Sequence, residues 1–388
     1  MKFNQQQLDA IYSKNQNILL IAGAGSGKTT VIIERIKYLI ESGVKKDEIL
    51  CITFTKKAAD EMKSRIKEKN LSIYTFHAFC YKELKKENNT IQIFKSNDLY
   101  SEKNLLKISL YKNSLFQTKK PKIYDSYQTY LKNNHLYDFD DLILNVLNKI
   151  SLHPYKYIFI DEFQDTNKLQ FQLLLNMKRN NVSFFAVGDP DQSIYGFRGS
   201  YIDILNQYIK KFNAQKLILQ YNYRSDLYIL TAANNLIKHN KNRFKKDLLT
   251  TNPKEKEVLI FIGSKDEQIN YIIHLIRNNQ NKKYTILYRN NYQILELKAA
   301  LEYFFINRVS FYTFHESKGL EFDNVIIYEA DILPYLKDET FFNIEEERRL
   351  FFVGITRAKV ELYITASKMT PFLKSLKVKR VTMKDIFY

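Results

Sequence analysis

The sequence predicts an α/β fold with two domains, each built on a parallel sheet flanked by helices. Short apolar runs bounded by polar turns recur along the chain, and stretches with helical spacing of apolar residues lie between them. This switch between a period of about 2 and a period of about 3.6 is typical of βαβ units. With 388 residues, 45% of them hydrophobic, the chain is long enough to fill two or three cores.

The first domain is predicted over residues 1–80 and 136–212. Its strand candidates are Ile18–Ile21, Ile49–Phe54, Tyr157–Ile160 and Phe184–Val187, and helical patterns cover Lys56–Lys69 and Leu169–Lys178. Residues 81–135 are rich in Lys, Asn and Tyr and contain no comparable apolar run. We therefore expect a small helical insertion there.

The second domain is predicted over residues 213–388, which contain six further strand candidates. These are Lys216–Gln220, Val258–Gly263, Tyr284–Tyr288, Val309–Thr313, Asn324–Glu329 and Glu361–Ala366. The sequence shows no internal repeat, no low-complexity tract and no long Pro/Gly linker.

The composition favours a polyanionic partner and excludes several classes of protein. Lys and Arg total 60 against 42 Asp and Glu, a net charge of +18, which favours nucleic acid through counterion release, although solubility alone is the alternative. Cys51 and Cys80 lie beside apolar or aromatic residues and are expected to be buried thiols, so neither a disulfide framework nor a zinc site is expected. Because no apolar run reaches the roughly 18 residues of a membrane span, we expect a soluble, cytoplasmic protein without membrane contact.

A glycine-rich loop lies between the first predicted strand and a predicted helix, Thr29–Glu41. The loop residues are Ala22, Gly23, Ala24, Gly25, Ser26, Gly27, Lys28, Thr29 and Thr30. The three glycines allow positive φ and let backbone N–H groups approach a polyphosphate, while the helix directs its positive end at the same anion. Lys28 would place an ammonium between the terminal phosphates, and the Thr29 hydroxyl would ligate Mg²⁺. Because the strict pattern has Gly where Ala22 stands, the prediction depends on Gly27, Lys28 and Thr29, and the alternative is an ordinary glycine turn.

An acidic pair, Asp161 and Glu162, directly follows the predicted strand Tyr157–Ile160. Open parallel sheets bind ligands at the carboxyl ends of their strands. Asp161 is therefore placed to hold Mg²⁺, directly or through water, and Glu162 to orient and deprotonate an attacking water. Taken alone, such a pair is more often a helix cap or a solvated loop, but the phosphate loop upstream favours the catalytic interpretation.

The chain resembles the UvrD/Rep/PcrA group of superfamily 1A DNA helicases. The resemblance rests on motifs that occur in the family's order from Phe3 to Lys359: FNQQQLDAI, AGAGSGKTT, ITFTKKAADEM, YTFHAFC, DFDDLI, DEFQDTN, VGDPDQSIYGFRGS, QYNYRS, ILYRNNYQ, TFHESKGLEF and EERRLFFVGITRAK. Each motif alone is weak or moderate evidence, whereas eight or more in order are strong. The resemblance implies two RecA-like P-loop NTPase domains, with ATP and Mg²⁺ as cofactors.

The resemblance also assigns residues to the ATP site. It implies adenine or ribose contacts for Gln7, Tyr223 and Glu321, and contacts to the γ-phosphate for Gln192, Arg224 and Arg357. The expected catalytic set is Lys28, Asp161, Glu162, Gln192, Arg224 and Arg357. Because this set is divided between the two domains, we expect ATP to be gripped from both sides and the grip to be released on hydrolysis.

The resemblance implies DNA contacts for a further set of aromatic and polar residues. These are Phe54, Phe76, His77, Tyr195, Phe197, Arg198, Arg289, Asn291, His315 and Lys318. Bases that stack on aromatic side chains could be passed along as the domains open and shut, each stack contributing about 1 to 3 kcal/mol without sequence preference. The alternative for the aromatic residues is core packing. It is less favoured for Tyr195 and Phe197, because these residues alternate with Gly196 and Gly199 in a polar loop.

The sequence departs from the family at several points. The large accessory (2B-type) domain is expected to be essentially absent near residues 305–312, and the insertion at residues 81–135 looks like a reduced 1B domain. Thr30 stands where relatives commonly have an adenine-stacking arginine, and Phe197 replaces a common tryptophan. No acidic cluster of the nuclease type follows Lys359.

The leading hypothesis is an ATP-dependent translocase and helicase on single-stranded DNA, acting at junctions between single and double strands, with 3′ to 5′ movement implied by the resemblance. A DNA-binding ATPase switch that displaces proteins without unwinding is the main alternative, and an RNA-directed motor is a third. An inactive remnant is disfavoured because the chain contains Lys28, Glu162, Gln192, Arg224 and Arg357. DNA repair, DNA replication and a viral or plasmid role all stay open, as do the oligomeric state and any loading partner.

Overall fold

The computed structural model describes residues 3–68, 70–87, 90–95, 99–147, 149–150, 153–253, 256–305, 307–336 and 341–387. The chain divides into two compact units. The first unit comprises Met1–Ala22, Gly27–Pro190 and Tyr195–Leu219, and the second comprises Gly23–Ser26, Asp191–Ile194 and Gln220–Tyr388.

The first unit is built on a six-stranded parallel sheet. The described strands of this unit, in chain order, are β1 (Asn17–Ala22), β2 (Ile49–Thr53), β3 (Ser72–Thr75), the short β4 (Gln92–Ile93) and β5 (Leu136–Tyr137), β6 (Tyr157–Ile160), β7 (Ser183–Gly188) and β8 (Gln215–Leu219). The sheet order is β3-β2-β6-β7-β1-β8, while β4 and β5 pair separately. Every residue of β2 is buried, as expected for a parallel strand covered on both faces.

Helices cover this sheet and form the insertion. They are α1 (Gln5–Tyr12), α2 (Lys28–Glu41), α3 (Lys56–Ile66), α4 (Phe76–Lys85), α5 (Glu102–Asn113), α6 (Tyr124–Asn133), α7 (Phe139–Val146), α8 (Lys168–Asn176) and α9 (Asp203–Phe212). The apolar side of α2, including Val31, Ile32 and Ile36, packs into the same core as β1 and β2. Tyr127 of α6 and Ile108 of α5 belong to a separate small core.

The second unit contains another six-stranded parallel sheet. Its strands are β9 (Leu259–Ile262), β10 (Tyr284–Tyr288), β11 (Val309–Thr313), β12 (Phe322–Ile327), β13 (Ala358–Ala366) and β14 (Lys379–Val381), in the order β11-β10-β12-β13-β9-β14. The helices of this unit are α10 (Leu227–Ile237), α11 (Lys265–Asn278), α12 (Leu295–Phe305), α13 (Phe341–Ile355), α14 (Pro371–Ser375) and α15 (Met383–Phe387). None of the helices described above is both long and apolar enough to cross a lipid bilayer.

One predicted strand belongs to a different sheet from the one expected. The run Lys216–Gln220 was predicted for the second domain, but β8 pairs in parallel with β1 in the first sheet, from Ile18 opposite Gln215 to Ala22 opposite Leu219. That placement was wrong because apolar periodicity identifies a strand but not its neighbours. The edge strands β3 and β14 were not predicted, since both are short and carry polar residues. In the predicted helix Lys56–Lys69, α3 ends at Ile66, and Lys69 lies outside the described residues.

The predicted insertion, residues 81–135, contains α5, α6 and strand β4 in its described part. Residues 88–89 and 96–98 lie outside the described ranges. Strand β5 follows at the end of this segment and pairs with β4 in parallel. The boundaries of the insertion and of the two domains stay predictions.

Candidate nucleotide and DNA sites

The helix α2 starts directly after a glycine in the left-handed conformation. Gly27 has φ +82° and caps the helix, and its carbonyl accepts a hydrogen bond from the backbone N–H of Val31 at 3.0 Å. A Cβ at this position would lie 3.2 Å from the Nε2 atom of Gln7. The positive φ of Gly27 therefore favours glycine, and a Cβ would also crowd the end of the Gln7 side chain. Lys28 and Thr29 open the helix, which is where a phosphate-binding loop needs its ammonium and its hydroxyl.

The tip of the loop, Gly23–Ser26, belongs to the second unit. Gly25 has φ +66°, and a Cβ there would lie 2.5 Å from Nδ2 of Asn222. The same amide donates to the carbonyl of Ala24 at 2.7 Å, and the N–H of Tyr223 donates to the carbonyl of Gly25 at 2.9 Å. The QYNYRS segment thus holds the loop tip by one side-chain and one backbone donor to its carbonyls, and a Cβ on Gly25 would collide with Asn222.

The acidic pair lies at the carboxyl end of β6, as predicted. Glu162 has φ +51°, its N–H donates to Oδ1 of Asp161 at 2.9 Å, and its Oε1 lies 3.9 Å from Nζ of Lys28. Gln164 donates to the other carboxylate oxygen of Glu162 at 2.6 Å, which fixes that side chain. Burial and repulsion from Glu162 raise the pKa of Asp161 to about 7, although the Lys28 ammonium opposes this shift.

The donor set at this place fits Mg²⁺. A cation beside Asp161 would relieve the cost of burying two neighbouring carboxyl groups. The Asp161 carboxylate and the Thr29 hydroxyl are hard oxygen donors of the kind that Mg²⁺ uses together with substrate phosphates and water. In the described ranges, no three His, Cys, Asp or Glu side chains form a complete metal cage.

Beside the phosphate loop, the side chains of Gln7, Thr30 and Arg65 lie close together in the first unit. The Oε1 atom of Gln7 accepts from the N–H of Asn4 at 3.1 Å in a capping box at the start of α1, which leaves its Nε2 facing Gly27. Arg65, at the end of α3, donates from Nη2 to the Thr30 hydroxyl at 2.7 Å. Sequence reasoning missed Arg65, because only the packing of α3 beside α2 brings its guanidinium to Thr30.

In the second unit, the Arg224 side chain donates to acceptors in two other family motifs, TFHESKGLEF and EERRLFFVGITRAK. Its Nε donates to Glu321 at 2.8 Å and its Nη1 to the carbonyl of Thr356 at 3.2 Å. Glu321 also pairs with Lys359 at 2.8 Å. Although burial alone would raise it, hydrogen bonds and charge from Lys359 and Arg224 hold the pKa of Glu321 below its usual value. Tyr223, predicted to stack on adenine, is 48% exposed.

Arg357 is almost completely buried, with 2% of its surface exposed. Its guanidinium donates to the carbonyls of Val353 and Leu320 at 2.9 and 3.1 Å and to Oε1 of Gln192 at 3.2 Å. Lys318 donates to the Gln192 carbonyl at 2.9 Å. The structure therefore brings together two residues that were predicted to contact the γ-phosphate, Gln192 and Arg357.

A buried ion cluster anchors the residue before Gln192. Both carboxylate oxygens of Asp191 accept from Arg243, at 3.0 and 2.8 Å, and Lys246 donates to the same carboxylate at 2.9 Å. Asp191 and Lys246 have side chains only 1% exposed. Sequence reasoning missed this cluster. Arg243 and Lys246 lie in the segment after α10, about fifty positions beyond Asp191, and no spacing rule links them to that carboxylate.

The predicted DNA-stacking residues of the first unit form one aromatic cluster. The rings of Phe54 and Tyr195 stack with centroids 5.2 Å apart and planes 24° apart, and Phe197 lies 5.9 Å from Tyr195. The Arg198 guanidinium lies over both Tyr195 and Phe197, at 5.1 and 5.4 Å. Phe197 is 48% exposed. This cluster has the aromatic and cationic character of a single-strand binding surface.

A cavity of about 600 Å³ opens beside this cluster and is lined by Phe54, Tyr195, Arg198, Phe76, His77 and Phe139, among others. Phe139 is 57% exposed and its ring lies 5.3 Å from that of His77. Burial lowers the pKa of His77 to about 4, which favours the neutral imidazole. Phe76 is 3% exposed, so core packing is the better supported role for that residue.

The predicted DNA contacts of the second unit are polar rather than aromatic. Arg289 makes a bidentate ion pair with Glu347, the closest contact being 2.8 Å. Asn291 is exposed at the start of a short 3₁₀ turn, whereas His315 and Lys318 are partly exposed in the loop after β11. Arg289 would have to share its guanidinium between Glu347 and a phosphate, so its contact with DNA stays a prediction.

Family models match nearly the whole chain. Residues 3–120 and 94–213 match the UvrD/REP helicase N-terminal domain, and residues 217–306 and 302–369 match the UvrD-like helicase C-terminal domain. The chain belongs to the UvrD-like helicase family. The predicted fold class, two RecA-like domains with parallel sheets flanked by helices, is confirmed.

Similar proteins include helicases from several bacteria. A probable DNA helicase II homolog of Mycoplasma capricolum subsp. capricolum is 36% identical, over 77% of this chain and 50% of the relative. The ATP-dependent DNA helicases PcrA of Staphylococcus epidermidis and Staphylococcus aureus are each 33% identical, over 82% of this chain and 52% of the relative. The chain thus spans about half the length of the curated relatives it matches.

Proposed function

We propose that this chain is an ATP-dependent translocase on single-stranded DNA that unwinds duplex DNA at junctions, with 3′ to 5′ movement as the family resemblance implies. The names of the similar helicases support this activity. The observation that carries the proposal is internal to the first unit. Its phosphate-loop residue Lys28, its acidic pair and its aromatic cluster all follow the carboxyl ends of strands in one parallel sheet, where such sheets bind ligands.

The proposed chemistry is phosphoryl transfer from ATP to water. Lys28 binds the β- and γ-phosphates, and Glu162 orients and deprotonates the attacking water, its carboxylate held in place by Gln164. Thr29 and Asp161 would hold Mg²⁺, which supplies charge neutralisation at the phosphates. Gln192, Arg224 and Arg357 stabilise the charge that develops on the γ-phosphate, so turnover requires residues of both units.

We also propose an adenine contact that the sequence alone did not predict. Arg65 donates to Thr30 and lies on the same side of the phosphate loop as Gln7. A guanidinium in this place can stack on a base or donate to its edge. Arg65 would thereby take the role of the adenine-stacking arginine that relatives commonly have at the position of Thr30.

The test is steady-state Mg²⁺-ATPase of the purified chain with and without single-stranded DNA. We expect strong stimulation by DNA, lost in Glu162→Gln and retained in the control Glu41→Gln, which changes an exposed carboxylate at the end of α2. Hydrolysis that is indifferent to DNA would contradict the translocase and leave a nucleotide switch.

Two further substrates separate the motor from its alternatives. A translocase that unwinds separates a duplex with a single-stranded tail, whereas a DNA-bound switch displaces a protein from a single strand and leaves that duplex intact. Replacing the DNA oligonucleotide with RNA of the same sequence tests the third possibility, and equal stimulation by RNA would overturn the assignment to DNA.

A further inference from the structure

The loop that joins α5 to α6, residues 114–123, presents a basic and aromatic surface on the first unit. We call it the basic loop. Lys119, Lys120 and Lys122 are exposed, and the side chain of Phe116 is 42% exposed. The nearest carboxylate in sequence is Asp125, which pairs with Lys120 at 2.6 Å. The loop therefore keeps an excess of positive charge beside an exposed aromatic ring.

Hydrogen bonds and ring contacts fix the start of the basic loop against α5 and α6. Leu115 and Phe116 both have positive φ, +57° and +63°, and the N–H of Phe116 donates to the carbonyl of Tyr111 at 3.0 Å. The ring of Phe116 packs against Tyr111 and Tyr124, with centroids 5.2 and 6.3 Å apart. A surface that is already ordered loses little conformational entropy when it binds a partner.

The basic loop begins beside the segment that carries the aromatic cluster. A Cβ on Gly199, two residues after Phe197, would lie 3.7 Å from the Cβ of Asn113 at the end of α5. From the other side, Lys168 donates to Oε1 of Gln117 at 3.3 Å. The end of α5 thus packs against the segment that carries Phe197, and the basic loop starts at the next residue.

We propose that the basic loop is a second contact for single-stranded DNA, in which its lysines bind phosphates of the strand that continues past Phe197. The proposal rests on the proposed function, because it extends the surface on which that function depends. Lysine ammoniums bind backbone phosphates without regard to sequence, and exposed aromatic rings next to them stack on bases. An acidic protein segment would satisfy the charge but would not explain why the loop adjoins the stacking cluster.

The test compares three purified full-length proteins by fluorescence anisotropy with oligothymidylates of about 4 to about 16 nucleotides, the range of known single-strand site sizes. The first is unaltered, and the second carries Lys119→Ala, Lys120→Ala and Lys122→Ala. The third is a matched control with Lys14→Ala, Lys45→Ala and Lys211→Ala, three exposed lysines that precede the amino ends of β1, β2 and β8. A variant with arginine at the three loop positions tests whether charge alone restores binding.

We expect the loop variant to bind the shortest oligonucleotides normally and to lose the gain in affinity that longer ones give. Its slope of log affinity against log salt concentration should fall by about 2, roughly 0.7 for each of three lost phosphate contacts. The arginine variant should restore both properties, and the control should change neither.

The possible failures can be told apart. If no oligonucleotide binds to the unaltered protein, the proposed function itself fails. If short and long oligonucleotides bind to the loop variant as they bind to the unaltered protein, with the same salt slope, the second contact is wrong while the proposed function stands. If the loop variant loses affinity only for duplex DNA, the assignment to a single strand is overturned. The same holds if it loses affinity only for an acidic peptide used as competitor.

Discussion

The two units hold their candidate ATP-binding charges in different ways. In the first unit, Lys28 lies 3.9 Å from Glu162, beyond hydrogen-bond distance, and both side chains are partly exposed. In the second unit, Arg357 is buried and donates to two backbone carbonyls and to Gln192, while Arg224 donates to a carboxylate and to a carbonyl. The first unit thus offers charges that a ligand can bind directly, whereas the second fixes its cations in position beforehand.

This difference has a physical consequence for catalysis. A guanidinium has five N–H donors in a rigid fork, so it can be fixed by its own protein and still direct a donor at a phosphate. A lysine ammonium is a compact charge on a flexible stem, and it is better suited to follow a nucleotide as it enters and leaves. We therefore expect substitution of Arg224 or Arg357 to affect rate and rigidity, and substitution of Lys28 to affect binding.

The largest effect is expected for Arg224→Lys, which keeps the charge but removes the fork. Loss of an arginine that stabilises the transferring phosphoryl group should lower kcat by about 10³-fold or more. The KM for ATP should change little, and DNA-stimulated ATPase measures both constants. Arg277→Lys, an exposed position on α11, is the matched control. A kcat within a few-fold of the unaltered protein would remove Arg224 from the catalytic set.

The rigidity of the second unit is tested by Asp191→Asn. This change leaves Arg243 and Lys246 buried without their carboxylate. Such a loss typically lowers the free energy of unfolding by about 3 to 5 kcal/mol. We expect the urea midpoint of the second unit to fall accordingly. Glu302→Gln, which breaks an exposed pair with Lys298, should change the free energy of unfolding by less than about 1 kcal/mol. Equal effects of the two substitutions would contradict an anchoring role for Asp191.

The first unit carries its own buried charge at Asp140, in the wall of the cavity beside the aromatic cluster. Burial and the neighbouring Asp138 raise the pKa of Asp140 to about 7, against the lowering effects of Ser109 and Lys112. Between pH 4 and 7 the folded state therefore binds more protons than the unfolded state, so ionisation of Asp140 removes stability as the pH rises.

Asp140→Asn cannot ionise, and it should gain stability relative to the unaltered protein as the pH rises from 4 to 8. We expect a gain on the order of 3 kcal/mol, seen as the difference between urea unfolding curves across that range. Asp60→Asn, at an exposed position on α3, is the control. A flat difference for Asp140→Asn would show that the carboxyl ionises normally.

Much of the fold could be predicted from the sequence, because buried parallel strands such as β2 and β6 are continuous apolar runs between polar turns. The phosphate loop and the acidic pair were placed correctly at strand ends for the same reason. The neighbour of β8 could not be predicted, since a strand's pattern reports its burial but not the sheet edge that it joins.

The parts of the candidate site that sequence reasoning missed all depend on contacts between distant segments. Arg65 reaches Thr30 from a neighbouring helix, and Arg243 and Lys246 reach Asp191 from the segment after α10. Neither arrangement has a local signature, because a surface lysine or arginine looks the same in sequence whether it is solvated or buried against a carboxylate.

The stacking cluster gives a smaller, binding-specific effect. Tyr195→Ala removes the ring that stacks on Phe54 and should weaken single-stranded DNA binding by about 1 to 3 kcal/mol, equally on oligothymidylate and oligocytidylate. ATP hydrolysis without DNA should be unchanged. Tyr12→Ala, at a 52% exposed tyrosine at the end of α1, is the control. A strong dependence on base identity would argue that Tyr195 reads bases by hydrogen bonding instead.

The smallest expected effect is that of Arg65→Ala on ATP binding. If Arg65 stacks on adenine, its loss should cost about 0.5 to 1 kcal/mol, a KM for ATP raised about two- to five-fold with kcat unchanged at saturation. Arg65→Lys should recover part of the loss, since an ammonium keeps the charge but not the plane. Lys63→Ala, an exposed lysine on the same helix, controls for the general loss of positive charge. If Arg65→Ala instead lowers kcat and leaves KM unchanged, Arg65 acts on the phosphates or on the helix, and the proposed adenine contact is wrong.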